Sequence, residues 1–244
     1  MAEVLWCWRH AKVPEAARRC IGRTDLPIHR RRAKRLAHRI RALARREGLP
    51  REVWSSPQRR CLATAQQLRA WGWKLHVDAR LVEMDFGDWE GRAWRDIAWL
   101  EVQAWEQNFL HHAPAGGESL WHLAQRALAF AGDASAPRIV LSHGGWINAL
   151  QHVPPGCTEI NAALWPAPLK PGTGVRWPTA GGLNVAPAHE LRPCARALGR
   201  AGPPRPAGWP KPPTSSPTVC PRRMRRGDDR SQTTDDGCQM RGDR

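Results

Sequence analysis

Short apolar runs and amphipathic segments alternate along the first 150 residues of the chain. The run Val4 to Trp8 stops at the polar pair Arg9-His10, which is typical of a buried strand that delivers polar residues at its end. From Arg31 to Glu47, apolar residues recur at helical spacing with Arg and Lys between them, and Gly48 follows. This pattern predicts an amphipathic helix with a solvated basic face.

The same alternation continues to about residue 151. Further strands are predicted over residues 53–55, 75–77 and 138–141. Further helices are predicted over residues 60–71, 91–105, 119–130 and 146–151. Strands that alternate with helices indicate an α/β fold with a mainly parallel central sheet and helices on both faces. Beyond residue 151, Pro154-Pro155-Gly156 interrupts the pattern and no clear strand appears before residues 174–177, so that edge of the sheet is left open.

Two distant segments are expected to meet at one edge of this sheet. Ligands of such sheets lie outside the carboxyl ends of the strands. Arg9-His10 and His143 both fall at such ends in the predicted arrangement. The helix that follows His143 would also offer free backbone N–H groups, which favour an anion nearby.

The pattern fails near residue 180. Residues 181–244 contain ten Pro, and twelve Lys or Arg against six Asp or Glu, with no sustained apolar periodicity. We therefore expect one domain over residues 1–180 and a largely disordered tail over residues 181–244. The tail is interpreted as solvated and without a catalytic role, and an electrostatic docking arm is the alternative.

Composition narrows the class of protein. Apolar residues are 41% and charged residues 25% of the 244, as in soluble globular proteins. The net charge of +16 favours anionic partners, and phosphorylated metabolites and nucleic acid both fit. The seven scattered Cys and the lack of a long apolar segment predict a cytoplasmic protein with reduced thiols and no membrane partner. His111-His112 and the Cys lack metal-ligand spacing, so neither a metal nor a cofactor is expected.

The residues that could carry chemistry fit phosphoryl transfer. That reaction requires a nucleophile, cations or N–H donors around the phosphoryl oxygens, and a proton donor for the leaving oxygen. Candidates for these parts are Arg9-His10 and His143 at the ends of strands, Arg60 after the turn Ser55-Ser56-Pro57, and Glu83 in the segment 81–87.

Six segments in this order resemble the histidine phosphatase superfamily, also called the phosphoglycerate mutase-like family. The resemblance covers roughly residues 4–150. The segments are Arg9-His10, Gly22-Arg23-Thr24-Asp25-Leu26-Pro27-Ile28, Ser55-Ser56-Pro57-Gln58-Arg59-Arg60, residues 83–91 (EMDFGDWEG), Gly116-Gly117-Glu118-Ser119 and Ser142-His143-Gly144-Gly145.

The resemblance implies a division of roles. His10 is the nucleophile that forms a phosphohistidine, and Glu83 is the general acid that later activates water. Arg9, Arg60 and His143 hold the phosphoryl oxygens. Physical chemistry supports this division, because the fork of an arginine pairs two oxygens at once and imidazole is partly neutral near pH 7.

Other substrate contacts follow from the resemblance less directly. It implies contacts by Gly22 and Thr24. Glu118 is expected to lie in the first turn of a helix, where a carboxylate offsets the macrodipole, and the resemblance adds substrate contact as the alternative. The chain departs from the family pattern at Ala11, Lys12 and Val13, which puts substrate contacts there in doubt.

Within the family, residues 22–27 together with residues 84–91 look most like the corresponding segments of α-ribazole phosphatases, which act in cobalamin biosynthesis. Broad phosphomonoesterases share these motifs. The resemblance therefore implies a hydrolase of the histidine acid phosphatase type, with α-ribazole 5'-phosphate as one possible small phosphorylated metabolite. A phosphoglycerate mutase is an alternative, but Glu83 and His143 are separated by only 60 positions, whereas mutases have a longer insertion.

Two readings without catalysis stay open. One is a vacant site that only binds phosphorylated partners. The other is a nucleic-acid-binding module, motivated by the net charge of +16 and by 14 Trp that could stack on bases. No recognisable nucleic-acid-binding motif supports this module, so nucleic acid is not the expected partner.

Overall fold

A computed structural model describes residues 4–133 and 138–178 of the chain. The strands are β1 Val4–Arg9, β2 Glu52–Ser55, β3 Lys74–Val77, β4 Arg138–Ser142 and β5 Gly174–Pro178. The α-helices are α1 Arg30–Arg46, α2 Arg59–Arg69, α3 Trp99–Gln107, α4 Leu120–Gly132 and α5 Gly144–His152. The tail expected over residues 181–244, and its boundary at residue 180, lie outside the described residues.

The five strands form one sheet in the order β3-β2-β4-β1-β5. β1 and β2 both pair in parallel with β4, and β3 pairs in parallel with β2. The edge that the sequence left open is closed by β5, which runs antiparallel to β1. The sheet is therefore mainly parallel, as predicted, and the carboxyl ends of β1, β4 and β2 lie side by side.

Alternating strand residues separate the core into two clusters on opposite faces of the sheet. Trp8, Ile139 and Leu141 face the cluster that buries α1 and α2. Leu5 and Val140 face the cluster that buries α3, α4 and α5. The apolar positions of α1 explain its amphipathic pattern, since the buried residues of that helix are Ala33, Leu36, Ala37, Ile40, Leu43 and Ala44.

The helix predicted over residues 91–105 is wrong in its first half. The α-helix begins at Trp99, and only a short 3-10 turn at Trp94–Asp96 precedes it. The cause is a backbone pairing with a distant segment, in which Arg19 and Ala93 form an antiparallel bridge. The N–H of Trp94 donates to the carbonyl of Arg18 at 3.0 Å. Backbone groups used in this way cannot close helical hydrogen bonds.

Glu118 does not lie in the first turn of a helix, which corrects that expectation. Ser119 is the N-cap of α4, and its side chain accepts a hydrogen bond from the N–H of His122. The capping hydroxyl already satisfies an N–H at the start of the helix. The Glu118 carboxylate instead pairs with Arg126, with Nε to Oε1 at 2.8 Å. Among the described residues, no helix is long and apolar enough to cross a membrane.

Candidate active site

The two histidines expected at strand ends are neighbours in the structure. His10 follows β1, and its N–H donates to the carbonyl of Ser142 at the end of β4, at 3.1 Å. The rings of His10 and His143 lie 5.3 Å apart between centroids. Arg60 joins them from the first turn of α2, with its Nε 3.1 Å from Nδ1 of His143. The structure thus brings together side chains that are up to 133 positions apart in the chain.

The protonation of His10 is set by its surroundings. Its Nδ1 lies 2.8 Å from the carbonyl oxygen of Ala11. Because a carbonyl can only accept, Nδ1 carries the proton and Nε2 keeps its lone pair. Burial lowers the pKa of His10 to about 3, and the charges of Arg60 and Arg9 act in the same direction. His10 is therefore a neutral imidazole near pH 7, which is the form that can attack phosphorus.

Arg60 is 2% exposed and is held mainly by protein acceptors. Besides His143, its guanidinium donates to the carbonyls of Thr24 and Gly22 and to Oε1 of Gln58. These contacts use four of the five N–H groups that a guanidinium offers. Arg60 is thus fixed in place before any ligand arrives.

Arg9 is held by fewer contacts. Its Nη1 donates to the carbonyl of Leu169 at 2.7 Å, and its buried Nε has no hydrogen-bond partner among the described residues. The backbone around it is closed by the segment before β5, where the N–H of Gly172 donates to the carbonyls of Arg9 and His10. Arg9 therefore has more N–H groups available to an anion than Arg60 has.

His143 is fully buried, and both of its ring nitrogens contact the protein. Nδ1 accepts from Arg60, so the proton sits on Nε2, which lies 2.9 Å from Oγ of Ser56. Burial, followed by the charge of Arg60, lowers the pKa of His143 well below its usual value. A direct bond from His143 to a phosphoryl oxygen would require one of these contacts to be exchanged, and this role stays a prediction.

Glu83 lies at the N-terminus of α5, where the sequence predicted a place for an anion. Its carboxylate accepts from the N–H groups of Gly145 at 2.9 Å and Trp146 at 3.0 Å. It also accepts from the N–H of Met84 at 3.1 Å. The anion that these N–H groups favour is thus the carboxylate of the chain itself.

The two glycines that open α5 explain how Glu83 and Arg9 reach this position. A Cβ on Gly145 would lie 2.5 Å from Oε1 of Glu83. A Cβ on Gly144 would lie 3.0 Å from Cζ of Arg9. Side chains at these positions would displace the carboxylate or the guanidinium, so the Gly-Gly pair after His143 is a signal of close approach.

Two supporting residues were not found by sequence reasoning. Gln58 donates to the carbonyl of Gly22, and its Oε1 accepts from the N–H of Glu83 at 3.2 Å. Arg126 donates to the carbonyls of residues 80, 82 and 83. Together they fix the backbone of Glu83 from both sides. Their partners are mainly backbone groups, which leave no pattern in the sequence.

The remaining predicted contacts have protein partners in this structure. Backbone groups of Gly22 and Thr24 bind Arg60 on one side and the carboxylate of Glu90 on the other. Glu118 binds Arg126 through both oxygens. Contact of these three residues with a substrate stays a prediction. In residues 4–133 and 138–178, no group of three or more His, Cys, Asp or Glu is placed to hold a metal ion.

Comparison with known proteins decides the family. Residues 5–156 match the histidine phosphatase superfamily (branch 1). The chain belongs to this superfamily. The family predicted from the sequence is therefore confirmed.

The similar proteins include phosphatases. The chain is 31% identical over 183 residues to glucosyl-3-phosphoglycerate phosphatase of Mycolicibacterium vanbaalenii, and the match covers 66% of this chain and 70% of the relative.

Solved structures confirm the fold class. The mycobacterial glucosyl-3-phosphoglycerate phosphatase superposes with a TM-score of 0.55 at 25% identity, covering 72% of this chain and 90% of the other. A phosphoglycerate mutase from Thermus thermophilus superposes with a TM-score of 0.54 at 26% identity, covering 72% and 98%. The fold of this histidine phosphatase is thus phosphoglycerate mutase-like, and none of these relatives is named an α-ribazole phosphatase.

Proposed function

We propose that this histidine phosphatase is a phosphomonoesterase that hydrolyses a small phosphorylated metabolite through a phosphohistidine at His10. The observation that carries the proposal is the fixed tautomer of His10. The carbonyl of Ala11 holds its proton on Nδ1, and burial keeps the ring neutral, so the lone pair of Nε2 is available. The charges of Arg9 and Arg60 both lower the pKa of the His10 imidazole. The same two guanidinium groups supply the positive charge that a phosphate ester requires.

In the first half-reaction, Nε2 of His10 attacks phosphorus while the bond to the leaving oxygen breaks. Arg9 neutralises charge on the equatorial phosphoryl oxygens, and Arg60 and His143 also hold these oxygens. Glu83 gives its proton to the leaving oxygen, and the alcohol departs. The product is a phosphohistidine, and Glu83 is left as a carboxylate.

In the second half-reaction, the Glu83 carboxylate takes a proton from water while the water oxygen attacks phosphorus. The P–N bond breaks, phosphate forms, and Nε2 of His10 regains its lone pair. Glu83 is again protonated, so the cycle closes. The N–H groups of Met84, Gly145 and Trp146 support the base role in this second step, because they favour the ionised form of Glu83 and hold its carboxylate in one place.

Two substrate assignments are compatible with hydrolysis at this site, and a mutase reaction is a third candidate. The motifs at residues 22–27 and 84–91, which resemble those of α-ribazole phosphatases, favour α-ribazole 5'-phosphate. This substrate would place the enzyme in cobalamin biosynthesis. The similarity to glucosyl-3-phosphoglycerate phosphatases favours a phosphorylated sugar acid. The fold neighbour named a phosphoglycerate mutase adds a third candidate, in which the phosphohistidine returns its phosphoryl group to a second hydroxyl instead of to water.

One panel of substrates tests the proposal. Wild type and His10→Ala are assayed with an aryl phosphate, α-ribazole 5'-phosphate, glucosyl-3-phosphoglycerate and 3-phosphoglycerate, and the released phosphate is measured. We expect wild type to release phosphate from the aryl ester and from at least one metabolite, and His10→Ala to lose this activity. Isomerised phosphoglycerate without phosphate release would favour the mutase. A rate of His10→Ala equal to that of wild type would overturn the proposal.

A further inference from the structure

The loop Gly22 to Thr24 lies between two groups of opposite charge. The peptide unit that joins Gly22 and Arg23 shows this arrangement most directly. Its carbonyl oxygen accepts from Nη2 of Arg60 at 2.5 Å, and its N–H donates to Oε1 of Glu90 at 2.7 Å. Because the carbonyl and the N–H of a trans peptide point in opposite directions, the cation and the anion lie at opposite ends of one peptide dipole.

Neighbouring peptide groups repeat the pattern. The N–H of Thr24 donates to Oε2 of Glu90 at 2.9 Å, and the N–H of Gly22 lies 3.1 Å from both carboxylate oxygens. The carbonyl of Thr24 accepts from Nη1 of Arg60 at 2.7 Å. Three consecutive N–H groups thus point to Glu90, and two of the carbonyls of the same loop point to Arg60. The orientation of the peptide planes is shared by both charged groups.

The position of the loop depends on the glycine at residue 22 and on further support from Gln58. A Cβ on Gly22 would lie 1.8 Å from the carbonyl oxygen of Met84, so the close approach requires glycine. Gln58 supports the same side as Arg60, since its Nε2 donates to the carbonyls of Gly22 and Arg23. On the opposite side, the described contacts of the loop N–H groups all go to Glu90.

We propose that Glu90 is a positioning residue for Arg60, and that it acts through the peptide groups of the loop Gly22 to Thr24. This inference rests on the proposed function, in which Arg60 helps to hold the phosphoryl group. The carboxylate sets the direction of the loop N–H groups, and the carbonyls on the opposite side then fix the guanidinium. Hydrogen bonds to a charged acceptor are about twice as strong as neutral ones, so the charge of Glu90 matters as well as its shape.

The protonation of Glu90 is consistent with this role. Burial raises its pKa, but hydrogen bonds from Thr24, Arg23 and Gly22 outweigh burial and lower the pKa below the ordinary value. Glu90 therefore stays ionised at and below neutral pH. The variant Glu90→Gln keeps the size of the side chain, removes the charge and places an NH₂ group against an N–H donor of the loop. Arg60 should then lose its fixed orientation while the fold is retained.

A double-mutant cycle on Glu90 and Arg60 tests the inference. Wild type, Glu90→Gln, Arg60→Ala and the double variant are assayed with an aryl phosphate, and inorganic phosphate is titrated as a competitive inhibitor. We expect Glu90→Gln to weaken phosphate binding by about 10-fold in the wild-type background and by less than about twofold in the Arg60→Ala background. Such non-additivity would not arise if Glu90 supported the fold alone.

The cycle separates this inference from the proposed function. Equal effects of Glu90→Gln in both backgrounds would overturn the role of Glu90, even with Arg60 confirmed as a phosphate ligand. Unchanged phosphate binding in Arg60→Ala would instead remove Arg60 from the proposed site. Asp88→Asn is the matched control, because Asp88 is exposed two positions before Glu90, and it should behave as wild type. If Glu90→Gln does not fold, Thr24→Val, which removes one donor to the carboxylate, replaces it in the cycle.

Discussion

The side chains around the proposed phosphate site fall into two regions with different surroundings. The cage comprises His10, Arg60, Glu83 and His143, which are buried and hydrogen-bonded to the protein. The rim comprises Lys12, Arg23 and Lys170, whose side chains are exposed. Each of them is next in sequence to a residue whose carbonyl contacts the cage or Arg9. The cage is prearranged by its own hydrogen bonds, whereas the rim meets solvent.

This difference indicates where the chemistry and the choice of substrate are determined. A prearranged cage needs little reorganisation during the reaction, which favours a common phosphoryl chemistry across the family. Exposed cations contribute weaker, salt-screened attraction. The departure from the family pattern at Lys12 lies in the rim. Changes in the cage should therefore affect turnover strongly, and changes in the rim should affect it weakly.

The largest effect in this comparison is expected for Glu83→Gln. The amide cannot supply the proton, and we expect turnover of an aryl phosphate to fall by about 100-fold or more, the range that general acids contribute. Its NH₂ group would also face an N–H donor at the start of α5, which should cost about 1–3 kcal/mol of stability. Turnover assays and urea unfolding measure the two effects separately.

Inhibition by inorganic phosphate provides the control for Glu83→Gln. The cations proposed to bind phosphate are unchanged, so the affinity of the variant for phosphate should stay close to that of wild type. Turnover at the wild-type rate would remove Glu83 from the mechanism.

The second effect is a pH dependence of the free energy of unfolding, which comes from the buried histidines His10 and His143. The pKa of His10 is lowered to about 3 and that of His143 lies well below its usual value, whereas the unfolded chain takes up protons below about 6.5. The unfolded state therefore binds more protons as the pH falls from about 6.5 towards 3, and stability decreases over that range. One such histidine should cost about 2 kcal/mol at about pH 5 relative to pH 7.

Urea unfolding at these two pH values checks this prediction. His10→Gln should reduce the loss of stability between them, because one of the buried groups no longer titrates. His38→Gln is the control, since it removes an imidazole that is exposed on α1. If His10→Gln and His38→Gln showed the same pH dependence of stability, the lowered pKa of His10 would be contradicted.

The smallest effect is expected in the rim, for Lys12→Ala. The loss of one exposed charge beside the nucleophile should lower kcat/KM for an anionic ester by about two- to threefold at low salt, through weaker electrostatic attraction. At high salt the difference should vanish, because exposed charges are screened. A loss of about 10-fold that persists in high salt would place Lys12 among the substrate ligands.

The sequence predicted the convergence of the site because strand ends can be read from apolar runs. The segment before Arg9-His10 and the segment before His143 both have this pattern, and parallel strands then bring their carboxyl ends together. The direction of β5 could not be read in the same way. The short segment Gly174–Pro178, which follows many irregular residues, gives no information on whether it returns parallel or antiparallel.

The supporting contacts were beyond reach for a different reason. Gln58 and Arg126 bind backbone groups that lie 25 to 46 positions away, and any residue type at those positions offers the same carbonyl or N–H. The early start predicted for α3 failed for the same reason, since the backbone of residues 93 and 94 pairs with residues 18 and 19. Side-chain patterns report burial, but they do not report which distant backbone group is bound.

The proposed mechanism depends on a covalent intermediate at His10, which can be trapped. Wild type and Glu83→Gln are mixed with an aryl ester labelled in its phosphoryl group, quenched within one turnover, digested and mapped by mass spectrometry. We expect a phosphoryl group on the peptide that contains His10, at a higher level in Glu83→Gln if hydrolysis is slowed more than formation. Label on another residue, or none at His10 while wild type turns over at its full rate, would rule out the phosphohistidine.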